Sequence, residues 1–107
     1  MARNISKRAS RRLGQLARII ARDGNGCVWC GTELTASHAH ATVEHVLPLS
    51  TGGPNIFENM LLACAPCNHH RQSTLALNWL TFCELAGQSA NRSAVEEAVN
   101  RISAVIA

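Results

Sequence analysis

The sequence predicts a small α+β fold in which two short strands and several helices are clamped by four cysteines. Three observations predict it. Four of the five cysteines fall in two pairs, Cys27-Val-Trp-Cys30 and Cys64-Ala-Pro-Cys67. Two short strand-like runs, Thr42–Val46 and Met60–Ala63, lie between those pairs. Helical periodicity fills the chain before the first pair and after the second. With 107 residues the chain is one domain, 1–107, divided at about 6–23 (a basic helix), 27–74 (the cysteine-clamped core) and 75–107 (a helical C-terminal extension).

The first element is a helix from about Ser6 to Asp23. At about 100° per residue, Lys7, Arg11, Arg18 and Arg22 fall in one stripe, and Leu13, Leu16 and Ile20 lie opposite. Asp23-Gly24-Asn25-Gly26 stops the helix with turn chemistry. Residues 1–24 carry seven basic residues, Arg3 among them, against Asp23 alone, on a chain whose net charge is +3. A basic end on an otherwise acidic body suits an anionic partner, nucleic acid first, or else a solvated face.

The two cysteine pairs come next. A two-residue spacing lets the chain turn back so that both sulfurs meet one ion at about 2.3 Å, and two such knuckles supply a tetrahedron. The expected occupant is Zn²⁺, in a closed and therefore structural site. No apolar stretch follows the Arg-rich start and the longest apolar run, Met60–Ala65, is six residues. Neither a secretory signal nor a membrane span is expected, and the expected location is intracellular, in the cytoplasm. Disulfides do not suit that setting. Thiol redox chemistry is a further alternative that two knuckles disfavour.

Between the knuckles, Gly31–Ala41 reads as irregular, with His38 and His40 solvated. Pro48 ends the first strand. Asn55 with Glu58 predicts a capped helical turn. From Asn68 onward the pattern is helical. Leu75, Trp79, Phe82 and Ala86 form one apolar stripe, and Cys83 falls within that pattern. Gly87 closes that helix. Ser93 with Glu96 predicts a capping box for a last helix with Val95, Val99, Ile102 and Ile106 inward.

Thirty-three residues lie between Cys30 and Cys64, so the metal clamps the ends of an inserted hairpin. The hairpin carries Glu44-His45, and Asn68-His69-His70-Arg71 follows the second knuckle. The stretch Val43-Glu44-His45-Val46-Leu47-Pro48-Leu49-Ser50-Thr51-Gly52-Gly53, then Asn59-Met60-Leu61-Leu62-Ala63-Cys64-Ala65-Pro66-Cys67-Asn68, resembles the zinc-knuckle HNH endonucleases. Arg22-Asp23-Gly24 resembles their lead-in. The likeness spans about residues 11–71. It implies a ββα-metal HNH core with a structural four-cysteine zinc site, flanked by the basic helix and the C-terminal helices.

The resemblance also implies roles. His45 is the general base that activates water. Glu44 and Asn68 are ligands of one catalytic cation, Mg²⁺ or Mn²⁺. Asn59 braces the loop between the strands. Arg71 lies near the phosphate. Glu44 stands where Asp is commoner, and Gln72 stands where one branch of the family has a further His. The implied activity is metal-dependent hydrolysis of DNA phosphodiester bonds. The alternative is a zinc-knuckle module that binds nucleic acid without cutting it. The partner is DNA, duplex by the scarcity of stacking aromatics, contacted by Lys7, Arg11, Arg18, Arg22 and Arg71. Small proteins of this kind are often carried by phages or mobile elements, so a phage or host protein is a candidate partner. The chemistry of the residues agrees: carboxylate and amide oxygens suit Mg²⁺ or Mn²⁺, and a neutral imidazole can take a proton from water. Adjacent residues of a regular strand face opposite ways, so Glu44 and His45 share a site only on a twisted or bulged strand, or by flanking the phosphate.

Overall fold

The computed structural model describes residues 6–106, which leaves Arg3 outside the described residues. Helix α1 runs Lys7–Asp23, capped by Ser6, whose hydroxyl accepts from the Ala9 amide. Gly24 ends it with φ 93°, donating its amide to the Ile20 carbonyl. Leu16 and Ile19 are its fully buried residues, with Leu13 and Ile20 only half-buried. The inward face is therefore turned from the expected Leu13–Leu16–Ile20 line toward Ile19.

Strand β1 is Ala41–His45, one residue earlier than expected, and β2 is Met60–Cys64. They pair antiparallel without a bulge, Ala41 opposite Cys64 and His45 opposite Met60. Every residue of β2 is buried, because helices and knuckles cover both its faces. Helix α2, Ala65–Arg71, follows β2 at once with Pro66 in its first turn. The order strand, strand, helix is thus built directly onto the second knuckle.

The loop from Val46 to Glu58 is held by Asn59, which is fully buried. Its amide nitrogen donates to the Leu47 and Pro54 carbonyls, and its oxygen accepts from the Leu47 amide. Gly53 completes the turn, since a Cβ there would collide with the Leu47 carbonyl oxygen. The expected Asn55–Glu58 cap does not form. Phe57–Asn59 is a 3-10 turn with no side-chain cap, and Asn55 is turned elsewhere.

Helix α3 is Ala76–Leu85 and α4 is Arg92–Ile106. The expected α3 stripe is corrected. Ala76, Leu80 and Cys83 face the core, whereas Leu75 is 63% and Phe82 57% exposed. Both sets have helical spacing, and the set with small residues lets α3 approach α4, whose own inner face holds Ala94, Val95, Ala98 and Ile102. Ile106 is exposed. The α4 cap is Asn91, whose side-chain oxygen accepts from the Ala94 amide, rather than the Ser93–Glu96 box. Among the described residues, no helix is long and apolar enough to cross a membrane.

Candidate functional site

The four knuckle cysteines converge. Sγ atoms of Cys27, Cys30, Cys64 and Cys67 all lie within 4.8 Å of one another, and Cys30 and Cys64 are 3.8 Å apart. A tetrahedron with metal–sulfur bonds of about 2.3 Å has sulfurs about 3.8 Å apart, so the four fit one metal ion. The first knuckle closes by the Gly31 amide bonding the Cys27 carbonyl. Burial pushes the Cys27 thiol up to about 11 and raises Cys67 as well. Burial also acts upward on Cys30, but hydrogen bonds from Thr32 outweigh it and bring that thiol down to about 7. Cys27 and Cys67 thus resist ionising by themselves, and a divalent charge among the four sulfurs would favour their thiolates.

His45 ends β1. Its Nε2 lies 3.0 Å from Asn55 Oδ1. Since Oδ1 accepts, Nε2 carries the proton and Nδ1 is left as the basic atom. The imidazole lines an open groove together with Arg8, Arg11, Arg12, Gln15, Thr42, Val43, Leu49 and Asn55. One wall is therefore the first two turns of α1. Arg8, Arg12 and Asn55 are site residues that the stripe and spacing arguments passed over. The available signal was the helical face: Arg8, Arg11, Arg12 and Gln15 fall within about 100° of one another.

Glu44 points the other way, as the unbulged pairing requires. It is 5% exposed. Its Oε2 accepts from Trp29 Nε1 at 2.9 Å and its Oε1 faces Arg71 Nη1 at 3.2 Å. Burial pushes the Glu44 carboxyl upward, against the Arg71 charge and the Trp29 hydrogen bond. Burial draws Arg71 downward in turn, yet the guanidinium keeps its proton, as arginine does in proteins. Asn68 donates its side-chain amide to Thr42 Oγ1 at 3.1 Å. Glu44 is thus held by Trp29 and Arg71, while Asn68 is engaged through its amide nitrogen and not through the oxygen that would meet a cation.

Two expected phosphate contacts are corrected. Arg71 is fully buried, donating to the Thr74, His45 and Val46 carbonyls. Arg22 grips Asp23 through two hydrogen bonds and donates to the Phe57 and Met60 carbonyls. It sits beside the inward Ile19 edge, where those carbonyls lie. Arg18 is exposed and rests on the Phe57 ring at 4.1 Å, with Arg22 on the same ring at 4.3 Å. Lys7 and Arg11 are exposed. His69 and His70 are exposed and pack edge to face on each other.

No curated protein matches the chain. A family model described as HNH endonuclease matches residues 27–94. That span begins at the first knuckle cysteine and takes in both strands, the Asn59 brace, the second knuckle and the start of α4, so the chain belongs to the HNH endonuclease family.

Proposed function

We propose that the protein is a metal-dependent endonuclease that hydrolyses phosphodiester bonds of duplex DNA, with His45 as general base and Zn²⁺ as the structural ion of the four cysteines. The observation that carries the reading is the groove in which His45, held by Asn55, faces Arg8, Arg11 and Arg12. A phosphodiester is an anion, and the guanidinium groups draw its oxygens in. Nδ1 of a neutral imidazole in that groove takes the proton of the attacking water. Asn55 keeps the ring in that tautomer and orientation. Arg12 also donates to the Ala41 carbonyl, at 2.6 Å, which fixes the groove wall against β1.

A divalent cation, Mg²⁺ or Mn²⁺, is expected of the family and would neutralise charge on the phosphoryl and leaving oxygens. Glu44, expected to hold it, is engaged by Trp29 and Arg71. That same observation favours the second reading, a family member that binds nucleic acid without cutting it.

The test is nicking of supercoiled plasmid with Mg²⁺ or Mn²⁺ present. The native protein is expected to nick, and His45→Ala to lose about 10²- to 10⁴-fold of the rate with DNA binding intact. Equal rates for the two proteins would leave the binding module as the reading.

A further inference from the structure

We infer that Trp29, Glu44 and Arg71 form a buried positioning relay for His45, in which Glu44 is the relay's anion and not a cation ligand. The inference rests on His45 being the base of the proposed reaction.

The relay is closed at every atom. Glu44 has two carboxylate oxygens, one on Trp29 Nε1 and one on Arg71. The Arg71 guanidinium lies over the Trp29 ring at 5.4 Å and is wholly shielded from water. Its Nε donates to the Thr74 carbonyl at 2.9 Å, its Nη1 to the His45 carbonyl at 2.8 Å and its Nη2 to the Val46 carbonyl at 2.6 Å. A guanidinium in this position has no route to a phosphate. Both Glu44 oxygens already hold a buried donor and the residue is 5% exposed, so an ion would have to share or displace those donors.

The placement explains why an ion pair is buried here. The β1–β2 ladder ends at His45 opposite Met60. Beyond it the strand turns into the loop, and the carbonyls of His45 and Val46 take their bonds from Arg71 instead of a strand. The guanidinium therefore sets the backbone that carries the imidazole, while Asn55 sets the ring. Trp29 extends the relay into the first knuckle, between Cys27 and Cys30. That knuckle is tied to β2 by the Val28 amide on the Leu62 carbonyl. The metal site and the base thus share one rigid path: knuckle, indole, carboxylate, guanidinium, His45 backbone. A buried ion pair of this kind adds little stability over apolar packing, but losing one member leaves the other charge uncompensated.

The relay and the cation-ligand role predict different results. The native protein is titrated with Mg²⁺ while the indole N–H of Trp29 is followed by proton–nitrogen NMR, with Trp79 as the internal reference. In the relay that resonance stays where it is up to the Mg²⁺ concentration that saturates nicking. If Mg²⁺ pulls Glu44 away from Trp29, the resonance shifts and the inference is wrong. Kinetics supply the second readout. Glu44→Gln and Arg71→Lys are each expected to lower kcat by about ten- to a hundredfold through displacement of the base, with KM for DNA and half-saturating Mn²⁺ changed less than about twofold. A tenfold or larger rise in half-saturating Mn²⁺ in Glu44→Gln makes Glu44 a ligand. A weakened salt dependence of DNA binding in Arg71→Lys makes Arg71 a phosphate contact. A native protein that never nicks removes the nuclease reading, yet the indole titration still decides whether Glu44 takes the cation.

Discussion

Asn59 shows how one buried side chain can shape a site without touching it. It makes three hydrogen bonds to the loop backbone, and the Val46 amide bonds its carbonyl as well. Removing the amide leaves buried donors and acceptors without partners, at about 1–3 kcal/mol each. Asn59→Ala is therefore expected to lower stability by about 3 kcal/mol, as read from urea unfolding, and to misplace Asn55 and His45 together. An unchanged urea midpoint would show that the loop holds itself. Sequence spacing pointed to both Asn59 and His45, because the family pattern is a list of distances along the chain. It misjudged Arg71 and Arg22, because a charge sign says nothing about which way a guanidinium turns. Arg71 faces three carbonyls and a carboxylate, and Arg22 faces two carbonyls and its own neighbour Asp23.

Helix α1 divides by function along its length. Its first two turns give Arg8, Arg11 and Arg12 to the groove, and its last turn gives Arg22 to the 3-10 turn and β2. If these three arginines meet phosphates as proposed, the log–log salt slope for DNA binding is about −3. Arg11→Ala is expected to flatten that slope by about one, whereas Arg22→Ala should leave the slope alone and lower the melting temperature. The reverse pattern would return Arg22 to the phosphates.

Helices α3 and α4 are linked by Arg92, which pairs with Glu84 and Glu96. Its guanidinium holds the Glu84 carboxyl below the usual 4.5. A lowered folded-state value stabilises above 4.5, and the effect is lost as pH falls through the lowered value. Native protein and Arg92→Ala should thus differ slightly in melting temperature at neutral pH and converge well below pH 4.5, the difference shrinking in salt. Unequal melting at acid pH would assign Arg92 a packing role. The two helices themselves were legible in the sequence and their faces were not. Leu75–Trp79–Phe82 and Ala76–Leu80–Cys83 share one periodicity, and only the approach of Ala94 and Ala98 decides between them.

At the scale of the molecule, the basic helix and the α2 side lie on either flank of one two-stranded sheet, and the metal site sits where the hairpin begins and ends. Cysteine spacing made the clamp legible, since four thiols that share an ion bring distant segments together whatever lies between, while the flanking helices were legible from periodicity and the family resemblance. The Cys30–Cys64 approach, with 33 intervening residues, has a consequence in polymer terms. A metal bridge there closes a loop in the unfolded chain as a disulfide would, and a loop of that length corresponds to about 4 kcal/mol of chain entropy. The chain with its bridge already made begins the search for the β1–β2 register with both strand ends tethered. Refolding from denaturant should then be faster when Zn²⁺ is bound to the unfolded thiols before dilution than when it is added afterwards. Chelation or Cys64→Ser should slow folding and lower stability together. Equal refolding rates in the two orders of addition would mean that the hairpin closes first and the ion only locks it.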